Sequence, residues 1–308
     1  MPYLVSIVGP TAVGKTALSI RMAELYQASI LSCDSRQIYK HLSIGTAKPS
    51  ADERKKVPHY LIDFLEVDQP YNAGRFERDA IRILKKEFAA RKVVVATGGS
   101  TLYFDALWFG INDIPTIAPE IRQNLIETWK EKGLAPLLSE LAQCDPLTFQ
   151  RIDQNNPVRI IRALEVFRGS GQPLSSFQKK ERKKHEDIPM THIKIGLSRD
   201  RNVLYQRIND RVDQMIAQGF EAEVRELFNQ GFDPNLQSLR SIGYKEWIEH
   251  FRDLHDRDEA IRLIKRNSRR YAKRQLTYFR RFDDIHWFEA ENEERVMEWL
   301  AAQLQENL

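Results

Sequence analysis

Cysteine is nearly missing: 308 residues contain only Cys33 and Cys144, and no Cys-x-x-Cys pair occurs. That excludes a disulfide framework and a cysteine-based zinc module. No apolar run approaches the ~20 residues that a membrane helix requires. The opening MPYLVSIVGPTAVGKT has no basic leader ahead of its short apolar run. It is expected to be a strand rather than a signal peptide, which makes the cytoplasm the expected location. Internal repeats and low-complexity linkers are also lacking. Neither sign of charge dominates, because 47 Lys and Arg stand against 43 Asp and Glu, a net +4. Any grip on nucleic acid must therefore come from local clustering. The remainder, 42% hydrophobic and 29% charged, is the texture of a soluble globular chain with room for one large domain or two.

Along the chain, Tyr3 to Val8 is a short apolar run rich in β-branched residues and reads as a buried strand. Gly9 to Thr16 reads as a loop and Ala17 to Tyr26 as a helix, followed by strands at Ala28 to Ser32 and Val93 to Thr97. Apolar strands that alternate with helices predict an α/β fold with a parallel sheet covered on both faces. From 113 to 189 helical patterns take over, as in Ala118 to Lys132 and Val158 to Arg168, with Pro157 at a helix start and Gly169-Ser170-Gly171 at its end. This stretch closes in the charge run KKERKKHED and is read as a helical insertion domain. The α/β core is then residues 1–112 and 190–308. HIKIGL (His192 to Leu197) resumes the strands, Asp200 to Gln218 is a long helix, and Ile285 to Phe288 offers a last short strand.

Gly9-Pro10-Thr11-Ala12-Val13-Gly14-Lys15-Thr16 matches G-x-x-x-x-G-K-[ST], with a strand before it and a helix after. Glycines let the backbone curl so that its N–H groups face an anion, and the helix N-terminus adds dipole potential. Lys15 supplies a point charge for phosphate oxygens, and the Thr16 hydroxyl is a candidate ligand for Mg²⁺. The loop alone does not distinguish a nucleotide from the diphosphate of an isoprenoid.

In open α/β sheets ligands sit beyond the carboxyl ends of the strands. Two further strand ends, Cys33-Asp34-Ser35-Arg36-Gln37-Ile38-Tyr39 and Thr97-Gly98-Gly99-Ser100-Thr101-Leu102-Tyr103, therefore belong on the rim of the phosphate loop. Asp34 suits either a general base or a helix N-cap. Gly98-Gly99 permits close backbone approach to a ligand, and Ser100 suits either contact with a leaving diphosphate or a capping role. Cys33 is read as a buried strand residue. HYLID (His59 to Asp63) ends an apolar run in a carboxylate, so Asp63 is either a metal or water ligand or a turn residue.

Between Arg262 and Arg281 there are nine Lys or Arg residues, no Asp or Glu, and three interleaved aromatics, Tyr271, Tyr278 and Phe279. Basic side chains with aromatics suit an RNA backbone and splayed bases; a solvated helix face is the competing reading. Arg207 and Arg211, one turn apart, suit a bidentate clamp on a diphosphate or plain surface positions. Arg159 and Arg162 share one face of the insertion helix and pose the same choice.

Taken together, these segments resemble the bacterial tRNA dimethylallyltransferase (tRNA isopentenyltransferase) family. The resemblance is carried by GPTAVGKT (Gly9 to Thr16), DSRQIY (Asp34 to Tyr39), IGTAKP (Ile44 to Pro49), HYLID, GGSTLY (Gly98 to Tyr103), NPVRIIRALEVF (Asn156 to Phe167), GFEAEV (Gly219 to Val224), RSIGYKE (Arg240 to Glu246) and KRQLTYFR (Lys273 to Arg280). They occur in the family's order over nearly the whole chain.

The resemblance implies a P-loop NTPase-like core and transfer of a dimethylallyl group from its diphosphate, with Mg²⁺, to the adenosine just 3′ of the anticodon, at position 37. That adenosine is flipped into a channel. Asp34 takes a proton from its exocyclic amine, while Lys15, Thr16, the loop amides and Arg211 or Arg207 hold the leaving diphosphate. Ser100 joins the catalytic group by resemblance, although the family usually has Thr there. Contact with the tRNA anticodon stem-loop is implied for Asp34, Ser35, Arg36, Gln37, Ser100 and Arg122. It is also implied for Val158, Arg159, Ile160, Ile161 and Arg162, and for Arg240, Ser241, Ile242, Gly243, Tyr244 and Lys245. Lys273, Arg274, Gln275, Thr277 and Arg280 complete the set. The chain lacks the cysteines and histidines of the eukaryotic relatives' zinc finger and is expected to act as a monomer without a membrane. The alternatives are a P-loop kinase for a small metabolite, an adenylate isopentenyltransferase, and a non-enzymatic RNA-binding module.

Overall fold

The computed structural model describes residues 1–111, 114–177 and 188–305. The charge run KKERKKHED lies outside the described residues. The chain divides into two compact units, Met1–Trp108 with His185–Leu308, and Phe109–Lys184.

The first unit opens with β1 (Tyr3–Val8), α1 (Lys15–Leu25), β2 (Ser29–Ser32), α2 (Ala51–Lys56), β3 (His59–Tyr60), α3 (Ala73–Phe88), β4 (Val93–Thr97) and α4 (Thr101–Phe109). Among the described residues, five helices belong to the second unit: α5 (Pro119–Lys132), α6 (Ala135–Cys144), α7 (Pro146–Arg151), α8 (Pro157–Ser170) and α9 (Leu174–Phe177). The first unit resumes with β5 (Thr191–Ser198), α10 (Arg201–Ala217), α11 (Phe220–Asn229), α12 (Tyr244–Phe251), α13 (Arg257–Phe279), β6 (His286–Glu289) and α14 (Glu293–Gln305).

The six strands form one sheet in the order β3-β2-β4-β1-β5-β6, and every pairing is parallel. All six residues of β1 are buried, which explains why the run is apolar without alternation. Residues of alternating parity serve the two faces. Val5, Ile7, Val95 and Ile195 pack in one cluster with Leu18 and Met22 of α1, Leu204 and Ile208 of α10, and Leu300 of α14. On β1 the intervening Ser6 accepts a hydrogen bond from Trp108 Nε1 at 3.0 Å. Trp108 in turn lies edge-on to Phe279 of α13. The short β3 pairs with β2 through only two residues, so the HYLID segment contributes little strand.

Register decides where the loops emerge. Ile7 and Ser32 both pair with Thr97, and Val8 pairs with Gly196. The chain therefore leaves β1, β2, β4 and β5 at one level, and the four following segments share one rim. At that rim Gly98 passes so close to β2's exit that a Cβ on it would lie 2.2 Å from the Cys33 carbonyl oxygen.

In the second unit α8 shows how local rules set a helix. Asn156 caps it by accepting from Arg159 N at 3.3 Å, Pro157 occupies the first turn, and Gly171 closes it in the left-handed region at φ 71°. Its inner face, Ile160, Ile161, Ala163 and Leu164, packs against Leu125 of α5 and Leu137 and Leu141 of α6.

Gly98→Ala is expected to cost about 3 kcal/mol, the upper range for inserting a methyl where nothing can yield. Gly171→Ala, in the left-handed region at φ 71° with open space around it, should cost about 1 kcal/mol from backbone conformation alone. Chemical denaturation of both variants checks the order; equal losses would mean that the rim tolerates the added carbon.

Candidate functional site

The phosphate loop spans the gap between β1 and α1. Positive φ at Gly9 (143°), Ala12 (64°) and Gly14 (122°) curls it. No side chain caps α1, which leaves the helix's first N–H groups available to an anion. Lys15 Nζ lies inside the curl and donates to the carbonyls of Gly9 (3.0 Å) and Pro10 (2.8 Å). Burial first, and then the charge of Arg211, pushes Lys15 down to about 7, while Asp34 works in the opposite direction.

Three arginines that follow β5 brace the loop. Arg199 Nε donates to the Val13 carbonyl at 2.9 Å, Arg207 Nε to the Ala12 carbonyl at 3.0 Å, and Arg211 reaches Thr11 Oγ1 at 3.5 Å. Burial pulls the Arg211 guanidinium below its ordinary value, with Asp34 raising it and Arg207 lowering it. Lys15, Arg211 and Asp34 thus form one electrostatic group.

Asp34 is held in a turn of its own and caps no helix. Its Oδ1 accepts from the backbone N–H groups of Arg36 (2.8 Å) and Gln37 (3.4 Å), a turn that pins the carboxylate without starting a helix. Its Oδ2 faces the backbone at Gly99, 3.8 Å from where a Cβ there would stand. Ser100 Oγ accepts from Ser35 N at 2.8 Å and Ser100 N donates to the Cys33 carbonyl, so Ser100 holds the Asp34 turn in place.

A cavity of about 890 Å³ is lined by the phosphate loop, Asp34, Gly98, Gly99, Arg207 and Arg211. A second, of about 440 Å³, is lined by Arg36, Ser100, Leu102, Arg240, Ser241 and Arg274. Thr11, Ala12, Asp34, Thr46, Arg211, Met215 and Tyr271 line both. Asp34 therefore stands where the two cavities meet. Ser100 lines only the second, away from the phosphate side on which its contact was anticipated.

The basic stretch divides its labour. Arg262 is paired with Glu259 and Lys265 with Asp213, and Arg269 donates to Asn209. Arg270, Lys273, Arg274, Thr277 and Arg280 are exposed. Gln275 is 1% exposed and does not face an RNA surface. Its Oε1 accepts from Thr11 N at 2.9 Å, and its Nε2 donates to the Gly99 carbonyl at 2.8 Å. Tyr271 OH donates to that same carbonyl at 2.9 Å.

Other assignments change on burial. Ile160 and Ile161 are core residues of the helical unit, because their side of α8 is its apolar side. Val158 and Arg159 are exposed, whereas Arg122 and Arg162 both pair with Glu165. Within Arg240 to Lys245, Arg240 and Lys245 are exposed, Ile242 is half-buried, and Ser241, Gly243 and Tyr244 are buried. Tyr244 OH donates to Glu223 at 2.6 Å, and the same carboxylate accepts from the N–H groups of Ser43, Ile44 and Gly45. This anchors the IGTAKP segment as a cavity wall. Gln37 supports the segment from the other side, donating to the carbonyls of Thr46 and Ala47. Asp63 is not free to ligate a metal, since Lys48 Nζ (2.7 Å) and Arg54 (3.2 Å) both engage it. Among the described residues no cluster of three His, Cys, Asp or Glu could hold a metal ion, and no helix is long and apolar enough to cross a membrane.

The sequence reading missed Arg199 and Glu223 as organisers. Arg199 lies immediately after a strand end, so the strand-end rule alone could have singled it out. Nothing local marks Glu223, whose backbone partners in the IGTAKP segment lie far away along the chain.

Comparison with known proteins agrees with this geometry. The IPP transferase family model matches residues 37–282. The tRNA dimethylallyltransferase 1 of Bacteroides thetaiotaomicron is 44% identical over 303 residues, 98% of this chain and 96% of that one. The tRNA dimethylallyltransferase of Syntrophobacter fumaroxidans is 45% identical over 287 residues, 93% and 83% of the two chains. The crystal structure of the full-length tRNA isopentenylpyrophosphate transferase of Bacillus halodurans matches with a TM-score of 0.73 at 35% identity, covering 99% of this chain and 98% of that one. A eukaryotic dimethylallyltransferase captured acting on tRNA shares the fold with a TM-score of 0.78 at 23% identity, over 94% and 74% of the chains. A phosphate loop braced by three arginines, a carboxylate between two cavities, and similarity along nearly the whole chain have one meaning: the chain belongs to the IPP transferase family.

Proposed function

We propose that this chain transfers a dimethylallyl group from dimethylallyl diphosphate to the exocyclic amine of adenosine 37 in tRNA. The placement of Asp34 at the junction of the two cavities carries the reading. One cavity has the phosphate loop for its floor. The other has Arg36, Arg240 and Arg274 around it, cations suited to an RNA backbone. A base swung out of its stack enters the second cavity with its amine toward Asp34.

The amine nitrogen attacks the allylic carbon, the carbon–oxygen bond to the diphosphate breaks, and Asp34 accepts the proton that the nitrogen sheds. Lys15, the loop N–H groups and Arg211 stabilise the charge that gathers on the leaving diphosphate. Of the two candidate arginines, Arg211 lies in one electrostatic group with Lys15 and Asp34, and Arg207, which lines the same cavity, keeps its terminal N–H groups for the diphosphate while its Nε holds the Ala12 carbonyl. Thr16 is exposed at the first cavity. A single hydroxyl suits Mg²⁺, which keeps most of its waters and takes its other oxygens from substrate phosphates. Bound there, Mg²⁺ would neutralise part of the diphosphate charge. A tRNA substrate makes the cytoplasm the place of work.

Radiolabelled dimethylallyl diphosphate incubated with unmodified tRNA, AMP and ATP separates the readings. Label is expected in tRNA alone. Label in AMP, or consumption of ATP without transfer, overturns the proposal in favour of an adenylate transferase or a kinase. In the same assay Asp34→Ala should be slower by about 10²–10⁴-fold, the scale of general-base catalysis, while still binding tRNA. An unchanged rate would remove Asp34 from the chemistry.

Lys273→Ala and Arg274→Ala should each weaken tRNA binding and flatten the slope of log affinity against log salt by about 1. Binding measured from low to high salt checks this, and an unaltered slope would take either residue off the phosphate contact.

Lys15 supplies the pH dependence. Its folded value of about 7 lies below its ordinary 10.5, so between these limits the unfolded chain holds the extra proton and stability rises with pH. Without diphosphate, the stability of wild type relative to Lys15→Met should therefore increase from pH 7 to pH 9. A flat difference in unfolding free energy would show that the ammonium is not desolvated.

A further inference from the structure

Among the exposed large apolar residues of the described chain, only Leu102 lines either cavity. It is 59% exposed in the first turn of α4, where the neighbouring Tyr103 and Phe104 are buried. Single exposed leucines are common. The surroundings of this one are not: it stands on the rim of the second cavity with Arg36, Arg240 and Arg274. Its base is held firmly. The Gly99 carbonyl is fixed from α13 by Tyr271 and Gln275, Ser100 N is bonded to the Cys33 carbonyl, and the Tyr103 ring stacks on Phe76 at 4.1 Å.

We propose that Leu102 is a wedge that occupies the stack vacated when the target base swings into the second cavity. This rests on the function proposed above and adds a positioning residue to it. A rigid apolar projection ringed by cations matches a nucleic-acid loop, which offers phosphates to the cations and stacked base faces to the apolar side chain. Extruding a base leaves its neighbours without a stacking partner, and an inserted apolar side chain offsets part of that loss. Leu102 touches neither the diphosphate nor the reacting amine. It acts by favouring the extruded state.

The test uses the full-length protein and an anticodon stem-loop RNA with 2-aminopurine at the target position. This base brightens on unstacking and lacks the reacting amine, so it binds without turnover. At saturating protein, wild type should raise the fluorescence and Leu102→Ala should give less than half that rise. On the adenosine RNA, Leu102→Ala should lower kcat about tenfold, about 1.4 kcal/mol of lost extrusion, with KM for dimethylallyl diphosphate unchanged. Leu102→Met should restore both readouts. Equal fluorescence and equal kcat in wild type and Leu102→Ala overturn the wedge while leaving the transferase reading intact, and so does a Met variant as poor as Ala. Absence of any transfer by wild type to the adenosine RNA overturns the transferase reading and the wedge with it.

Discussion

In the phosphate loop, the Thr11 N–H ends on the side-chain amide of Gln275, and the other end of that amide holds the Gly99 carbonyl. One buried side chain thereby ties α13 to the loops that follow β1 and β4. Losing it would leave the part-buried Thr11 N–H without this partner, at about 1–3 kcal/mol, while the Gly99 carbonyl would keep the Tyr271 hydroxyl. The placement of Asp34 follows from the same joint: Gly99 leads into Ser100, and Ser100 holds the turn that pins the carboxylate. The site is thus a set of strand-end loops clamped from a distant helix.

Charge is arranged by depth. Lys15, Arg211 and Asp34 sit together where burial magnifies their mutual effects. The exposed cations of α13 and of the Arg240 segment face solvent, where salt screens them. A small net charge is compatible with both, because the basic stretch loses part of its charge to Glu259 and Asp213.

The α/β class, the parallel sheet and the phosphate loop were legible because each rests on a local pattern: an apolar run, a glycine spacing, a strand-to-helix switch. Asp34 was legible as a rim residue, but not the turn in which its Oδ1 accepts from Arg36 N and Gln37 N. What a linear reading could not separate was the two sides of a motif. In RSIGYKE, Arg240 faces solvent while Tyr244 is buried against Glu223, and in KRQLTYFR, Lys273 is exposed while Gln275 is buried. A motif marks a segment that matters, but helical geometry decides which of its side chains meet the ligand and which hold the frame. Asp63 shows the same limit, since a carboxylate at a strand end was already claimed by Lys48 and Arg54.

The sheet order has a consequence for synthesis on the ribosome. β1 lies between β4 and β5, and β5 is separated from β4 in sequence by the whole helical unit. When β4 has emerged, one edge of β1 still lacks its neighbour, and the arginines and the glutamine that brace the phosphate loop have not yet been made. The loop after β1 can make its bond to Gln275 only once α13 has left the exit tunnel. A chain truncated before α13 would carry the motif without the Gln275 bond to Thr11 and without the Tyr271 and Gln275 bonds to the Gly99 carbonyl.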